Sequence, residues 1–88
     1  MTDTIHFEVA NLRAAVRLTR RLAQSWPVVL RERRHATLVT VAIREPPEDF
    51  ALLLREVEAW VAEEELPTLS YEFDGRPYVI EAAAAAGD

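Results

Sequence analysis

Asp74-Gly75 constrains this chain more tightly than any other pair of residues, because both residues tolerate the positive φ angles that a two-residue hairpin turn demands. Upstream, Leu69, Tyr71 and Phe73 alternate with other residues, and downstream Tyr78 and Ile80 do the same. That period of two belongs to half-buried strands. A two-residue loop pairs Tyr71 with Tyr78 and Leu69 with Ile80, so all four share one face. Pro77 has no amide hydrogen for a ladder, which places the last strand at a sheet edge.

The rest of the chain reads in the same way. Thr4 to Val9 alternates strictly, with Ile5, Phe7 and Val9 on one face. Asn11 is the expected N-cap of an amphipathic helix that turns Leu12, Ala15, Val16, Thr19, Leu22 and Ala23 inward and Arg13, Arg17, Arg20 and Arg21 outward. Pro27 stops it. From Trp26 to Ile43 β-branched residues dominate, and Glu32-Arg33-Arg34-His35 interrupts them as a hairpin tip. Taking Arg33-Arg34 as the loop pairs Leu30 with Thr37, Val28 with Val39 and Val29 with Leu38. The tip has no Asn-Gly or Asp-Gly pair, so a shift of one residue or a longer loop stays open. After Pro46-Pro47, acidic Glu48 and Asp49 start a second helix reaching about Glu63. Phe50, Leu53, Leu54, Val57, Trp60 and Val61 form its apolar stripe, with Leu52 outside it.

The resulting order, βαββαβ followed by one more hairpin strand, resembles the split βαβ arrangement of ferredoxin-like folds. The resemblance implies one α+β domain over residues 1–81, with both helices on one face of an antiparallel sheet ordered 5-4-1-3-2 and the other face open. Residues 82–88, mostly alanine, are expected to fray as a tail.

Composition narrows the chemistry. An 88-residue chain that is half hydrophobic needs nearly all its large apolar side chains for its own core, which leaves few for a site. The absence of cysteine removes disulfides, thiolate metal sites and thiol catalysis. A net charge of −5 argues against nucleic-acid binding. Met1-Thr2-Asp3-Thr4 lacks a basic segment followed by an apolar run, so neither export nor membrane insertion is expected and cytoplasm is the default. All ten basic residues are arginine, a bias expected of a GC-rich bacterial gene. Only Gly75 and Gly87 are glycines, so no loop can wrap its backbone around a phosphate, and the sequence contains no nucleophile motif and implies no cofactor.

Three constellations remain. His6 and Glu8, with Glu72 on the expected neighbouring strand, have side-chain types that a divalent metal or a proton-transfer site uses. The plainer reading of that trio is a solvated polar strip on an antiparallel sheet. Arg31, Arg33, Arg34 and His35 form the densest basic patch, suited to an anion or an acidic partner. Glu63-Glu64-Glu65 is expected at the same end of the fold, so compensation between the two, within the monomer or between copies in an oligomer, is the simpler account. Arginines on the first helix also stand to face Glu56 and Glu58 on the second. Finally, the open sheet face carries Val29, Leu38, Ala42 and Val79, an apolar group suited to a protein contact.

In outline the sheet is similar to RNA-recognition domains, but Thr4, His6, Glu8, Leu38 and Thr40 stand where stacking aromatics would be needed. It also resembles ACT regulatory domains, whose small ligands bind at a glycine-containing loop after the first strand. Here that loop reads Val9-Ala10-Asn11-Leu12. The dimeric α+β barrel group, in which open sheet faces pack together, is a third resemblance. The expectation is a non-catalytic protein-interaction or homodimerisation module using the open face or the edge of the second strand. A small-ligand regulatory module is the alternative, and an enzyme using His6 with Glu8 or Glu72 is a third reading.

Overall fold

The computed structural model describes residues 3–45 and 47–81. Pro46 and the expected alanine-rich tail lie outside the described residues. Seven elements follow in order: β1 (Asp3–Val9), α1 (Leu12–Leu22), β2 (Val28–Glu32), β3 (Thr37–Ile43), α2 (Glu48–Glu63), β4 (Thr68–Phe73) and β5 (Arg76–Glu81). The five strands form one antiparallel sheet in the spatial order β2-β3-β1-β4-β5. It is a small α+β arrangement of one sheet and two helices.

Alternation decides which side of the sheet is covered. Ile5, Phe7 and Val9 of β1, Val39, Val41 and Ile43 of β3, Leu69 of β4 and Ile80 of β5 are all buried. They join Ala14, Ala15, Leu18 and Leu22 of α1 and Leu53, Val57, Trp60 and Val61 of α2 in a single core cluster. The intervening residues of the strands carry the opposite face.

The two hairpins contrast in how their tips are built. Between β4 and β5 the expected pairing holds, Tyr71 opposite Tyr78 and Leu69 opposite Ile80. Asp74 and Gly75 have φ of 56° and 74°, the mirror-image turn whose twist matches that of the strands. The Tyr71 and Tyr78 rings stack with centroids 5.2 Å apart, and Tyr71 also leans on Phe7 at 5.5 Å. Burial raises the Tyr71 hydroxyl above its ordinary pKa, helped by Tyr78 and Glu58.

The β2–β3 hairpin departs from the expected register. Leu30 lies opposite Val39 and Val28 opposite Val41, so Val29 faces Thr40, not Leu38, and Leu38 faces Arg31. The amide of Arg33 donates to the Ala36 carbonyl at 2.8 Å, which moves the tip one residue along to Arg34-His35. Neither has a positive φ, and without the Asn-Gly or Asp-Gly pair that favours it the tight mirror-image turn does not form. A one-residue move of the tip shifts the pairing by two positions, which preserves the faces. Trp26, Val28 and Leu30 therefore still pack against the core.

Helix α1 is also set differently. Asn11 caps it as expected, its Oδ1 accepting from the amides of Arg13 at 2.8 Å and Ala14 at 3.3 Å. The buried residues are Ala14, Ala15, Leu18 and Leu22, whereas Leu12 is 42% exposed and Ala23 is exposed. The helix is rolled by about a quarter turn from the expected setting. Two small alanines allow close approach to the sheet, Leu18 supplies the bulk, and the roll brings Arg17 and Arg21 beside α2.

Helix α2 keeps its expected stripe, with Leu53, Val57, Trp60 and Val61 buried and Leu52 outside. Asp49 anchors its start. One carboxylate oxygen accepts from Trp26 Nε1 at 3.3 Å and the other from the amides of Arg44 and Glu45 at 3.2 and 3.3 Å. The bond from the Arg44 amide, followed by that from Trp26, holds this carboxyl below its ordinary pKa. At the other end Glu65 adopts φ 58°, and the amides of Glu65 and Leu66 donate back to the carbonyls of Ala62 and Val61. That pattern is a Schellman C-cap with a glutamate in the position glycine usually fills.

Candidate functional site

Pairing partners line up across the uncovered face. One row runs Val29, Thr40, His6, Glu72, Pro77 from edge to edge, and the next runs Arg31, Leu38, Glu8, Ser70, Val79. Ala42 lies beside Thr4 in a third row. Val29 and Val79 are 52% and 58% exposed, at opposite edges, while Leu38 and Ala42 are half-buried between them. The apolar residues are thus spread across the face, not concentrated at a Val29 and Leu38 pair as expected, because the register shift set Val29 against Thr40.

Charge on this face is split by side. Arg31 and Arg33 occupy the β2 side, with Arg34 and His35 at the adjoining tip, and Glu72 and Glu81 occupy β4 and β5. Glu8 sits centrally on β1. Among the described residues none of these charged groups takes part in an ion pair. A hollow of about 470 Å³ opens here, lined by His6, Glu8, Arg33, Leu38, Ser70 and Glu72 among others. His6, one of its lining residues, is hydrogen-bonded through Nδ1 to Thr40 Oγ1 at 2.9 Å, which orients the imidazole ring.

The expected metal-type trio is brought together only in part. His6 and Glu72 are direct cross-strand partners, but Glu8 faces Ser70. Among the described residues no three histidine, aspartate or glutamate side chains are arranged to hold a metal ion.

Within one copy the acidic run does not compensate the basic tip. The roll of α1 engages two of its three glutamates with other arginines: Arg17 binds Glu64 through Nε and Nη2 at 2.6 and 2.7 Å, and Arg21 reaches Glu63 at 2.7 Å and Glu56 at 3.0 Å. The expected contrast between the two helices is therefore realised as a strip of ion pairs. Hydrogen bonding from Arg17 lowers the Glu64 pKa, and the same contacts raise Arg17 and Arg21. Arg31, Arg33 and Arg34 are left exposed and open to another partner.

A second groove, about 740 Å³, lies on the helix side between Trp26, Asp49, Leu52 and Arg55. Of its charged groups Arg21, Glu56 and Asp49 are already engaged as described, which leaves Arg55, so it carries less unspent charge than the sheet face. Two members of the open face escaped the sequence reading in that role. Arg33 was assigned to the tip, and only the true register places it beside Leu38 and Glu8. Glu81 was legible from the Pro77, Val79, Glu81 alternation of the last strand.

Among the described residues no helix is long and apolar enough to cross a membrane. Comparison of the chain with protein-family models, curated proteins and solved structures finds no match in any of the three.

Proposed function

We propose that the chain is a ferredoxin-like split βαβ domain with an added edge strand, and that it works as a non-catalytic self-association module whose open sheet face packs on a second copy. The strand order β2-β3-β1-β4, with β5 appended at the β4 edge, supports the fold assignment. The observation that carries the functional reading is a five-stranded sheet buried by helices on one side only, with Val29, Leu38, Ala42 and Val79 spaced across the uncovered side. Strands about 4.8 Å apart and about 20 Å long give a flat face of roughly 480 Å². Two such faces, with side-chain relief added, approach the lower end of specific protein interfaces, on the order of 1,200 Å² in total.

Sedimentation velocity across a micromolar concentration series tests this directly. The wild-type chain should sediment as a dimer, and Leu38→Asp should return it to monomer with its circular dichroism unchanged. A wild-type monomer at high micromolar concentration, with Leu38→Asp altering nothing, would remove the reading.

The hollow beside His6 and Arg33 favours a second reading, a small-ligand regulatory module, since its volume falls in the range of about 300–1,000 Å³ usual for ligand sites. A thermal-shift screen with amino acids, nucleotides and divalent metals separates the two. A reproducible rise in Tm supports the ligand module, and no shift with any probe supports self-association alone.

A further inference from the structure

Given that self-association reading, we infer that the second copy docks about a two-fold axis running along the strands above β1, so that the arginine side of each sheet covers the glutamate side of the other.

Sheets that pack face to face in the aligned class keep their strands within about 30° of each other, and that class lays the full length of one edge over another. A two-fold axis lying between two such faces must then run either along the strands or across them. These choices differ in what they bring together. With the axis along the strands, left and right exchange while each residue keeps its level, so β2 of one copy covers β5 of the other. With the axis across the strands, left and right are kept, and β2 covers β2.

The split charge chooses between them. Arg33 is level with Ala36 of β3, and Thr68 of β4 with Glu81 of β5. The pairings of Glu8 with Leu38 and with Ser70, continued by one step, place all four residues on one level. The lengthwise axis therefore sets Arg33 against Glu81 of the second copy, and by symmetry Glu81 against its Arg33. One level down, Arg31 lies over Val79, where its aliphatic stem covers an exposed apolar residue, and Val29 meets Pro77 at the next. Glu72 falls under the same β2–β3 half of the second copy. The crosswise axis instead brings the arginine sides of both copies together and the Glu72 and Glu81 sides together, and like charges across an interface are strongly disfavoured. An isologous contact needs a self-complementary surface, and the lengthwise axis is the one that makes the two charged edges complementary.

The lengthwise arrangement retains one like-charge contact, Glu8 against Glu8 of the second copy near the axis. A crosswise axis passing over Phe7, close to the middle of β1, would place Glu8 near His6 of the second copy instead. Glu8→Gln consequently distinguishes the two: it tightens a lengthwise dimer and loosens a crosswise one.

Charge exchange gives the main test. An acidic variant combines Arg31→Glu with Arg33→Glu, and a basic variant combines Glu72→Arg with Glu81→Arg. Each alone should self-associate about tenfold or more weakly than wild type, because the Arg33–Glu81 contact, made twice across the two-fold axis, becomes repulsive and the charge of one edge no longer opposes that of the other. An equimolar mixture should restore dimers, all of them mixed, as read by sedimentation and by native mass spectrometry. If wild type dimerises while both variants do so equally well and mix without preference, the axis is wrong and self-association stands. If wild type is a monomer, both fall. Should a double variant not fold, the direction of the Glu8→Gln effect on the wild-type dimer decides the axis by itself, and loosening overturns it.

Discussion

Arg17 clasps Glu64 across the helix layer, with Nε 2.6 Å from one carboxylate oxygen and Nη2 2.7 Å from the other. The two residues are 47 positions apart, and their planar groups meet in the forked geometry that arginine alone among the basic residues provides.

This pair predicts a pH dependence of known sign. Arg17 holds the Glu64 carboxyl below its ordinary value of 4.5, so the folded state binds that proton less readily than the unfolded state. Its contribution is fully present above the unfolded value and is lost as pH falls through the depressed folded value. A double-mutant cycle with Arg17→Met and Glu64→Gln should give a measurable coupling at pH 7 that shrinks toward zero below about pH 4 and weakens in 1 M salt. Arg17 is 54% exposed, so the coupling is small, in keeping with surface pairs. Coupling unchanged between pH 7 and pH 3 would contradict the assignment.

Glu65 holds a left-handed backbone at a helix end, where a Cβ is a steric cost and glycine has none. Its N–H bond to Ala62 is a backbone contact and survives substitution. Glu65→Gly should stabilise the domain by about 0.5–1 kcal/mol, less the entropy glycine adds to the unfolded chain. Thermal unfolding would register this as a rise of a few degrees in a domain of this size. A fall in Tm would show that the Glu65 side chain contributes a contact that outweighs the strain.

Leu12 and Leu18 separate the observed setting of α1 from the expected one. Leu18 is fully buried, so Leu18→Ala should cost about 2–5 kcal/mol in chemical denaturation. Leu12, 42% exposed, should change stability by about 0.5 kcal/mol or less when replaced by alanine. A larger cost at Leu12 than at Leu18 would mean that the helix sits in the rolled-back setting.

Turn chemistry explains why one hairpin was legible in full and the other only by face. Asp74-Gly75 admits a single tight geometry, which determined the pairing of Tyr71 with Tyr78. Arg33, Arg34 and His35 carry no comparable preference, so the pairing of β2 with β3 was settled by how Val39 and Val41 fit between Leu30, Val28 and the helices. The open face inherited that difference: its membership followed from alternation, while the neighbours of Leu38 did not.

Local periodicity was sufficient for the elements, their order, the buried face of each strand and the stripe of α2, since period two and period 3.6 are properties of the backbone that any apolar pattern must obey. The rotation of α1, the partners of Glu63 and Glu64, the anchoring of α2 by Asp49 and the separation of arginine from glutamate across the open face came only with the assembled tertiary structure. Each of these depends on contacts between residues far apart in the chain, where several arrangements satisfy the same local pattern and packing volume and charge choose among them.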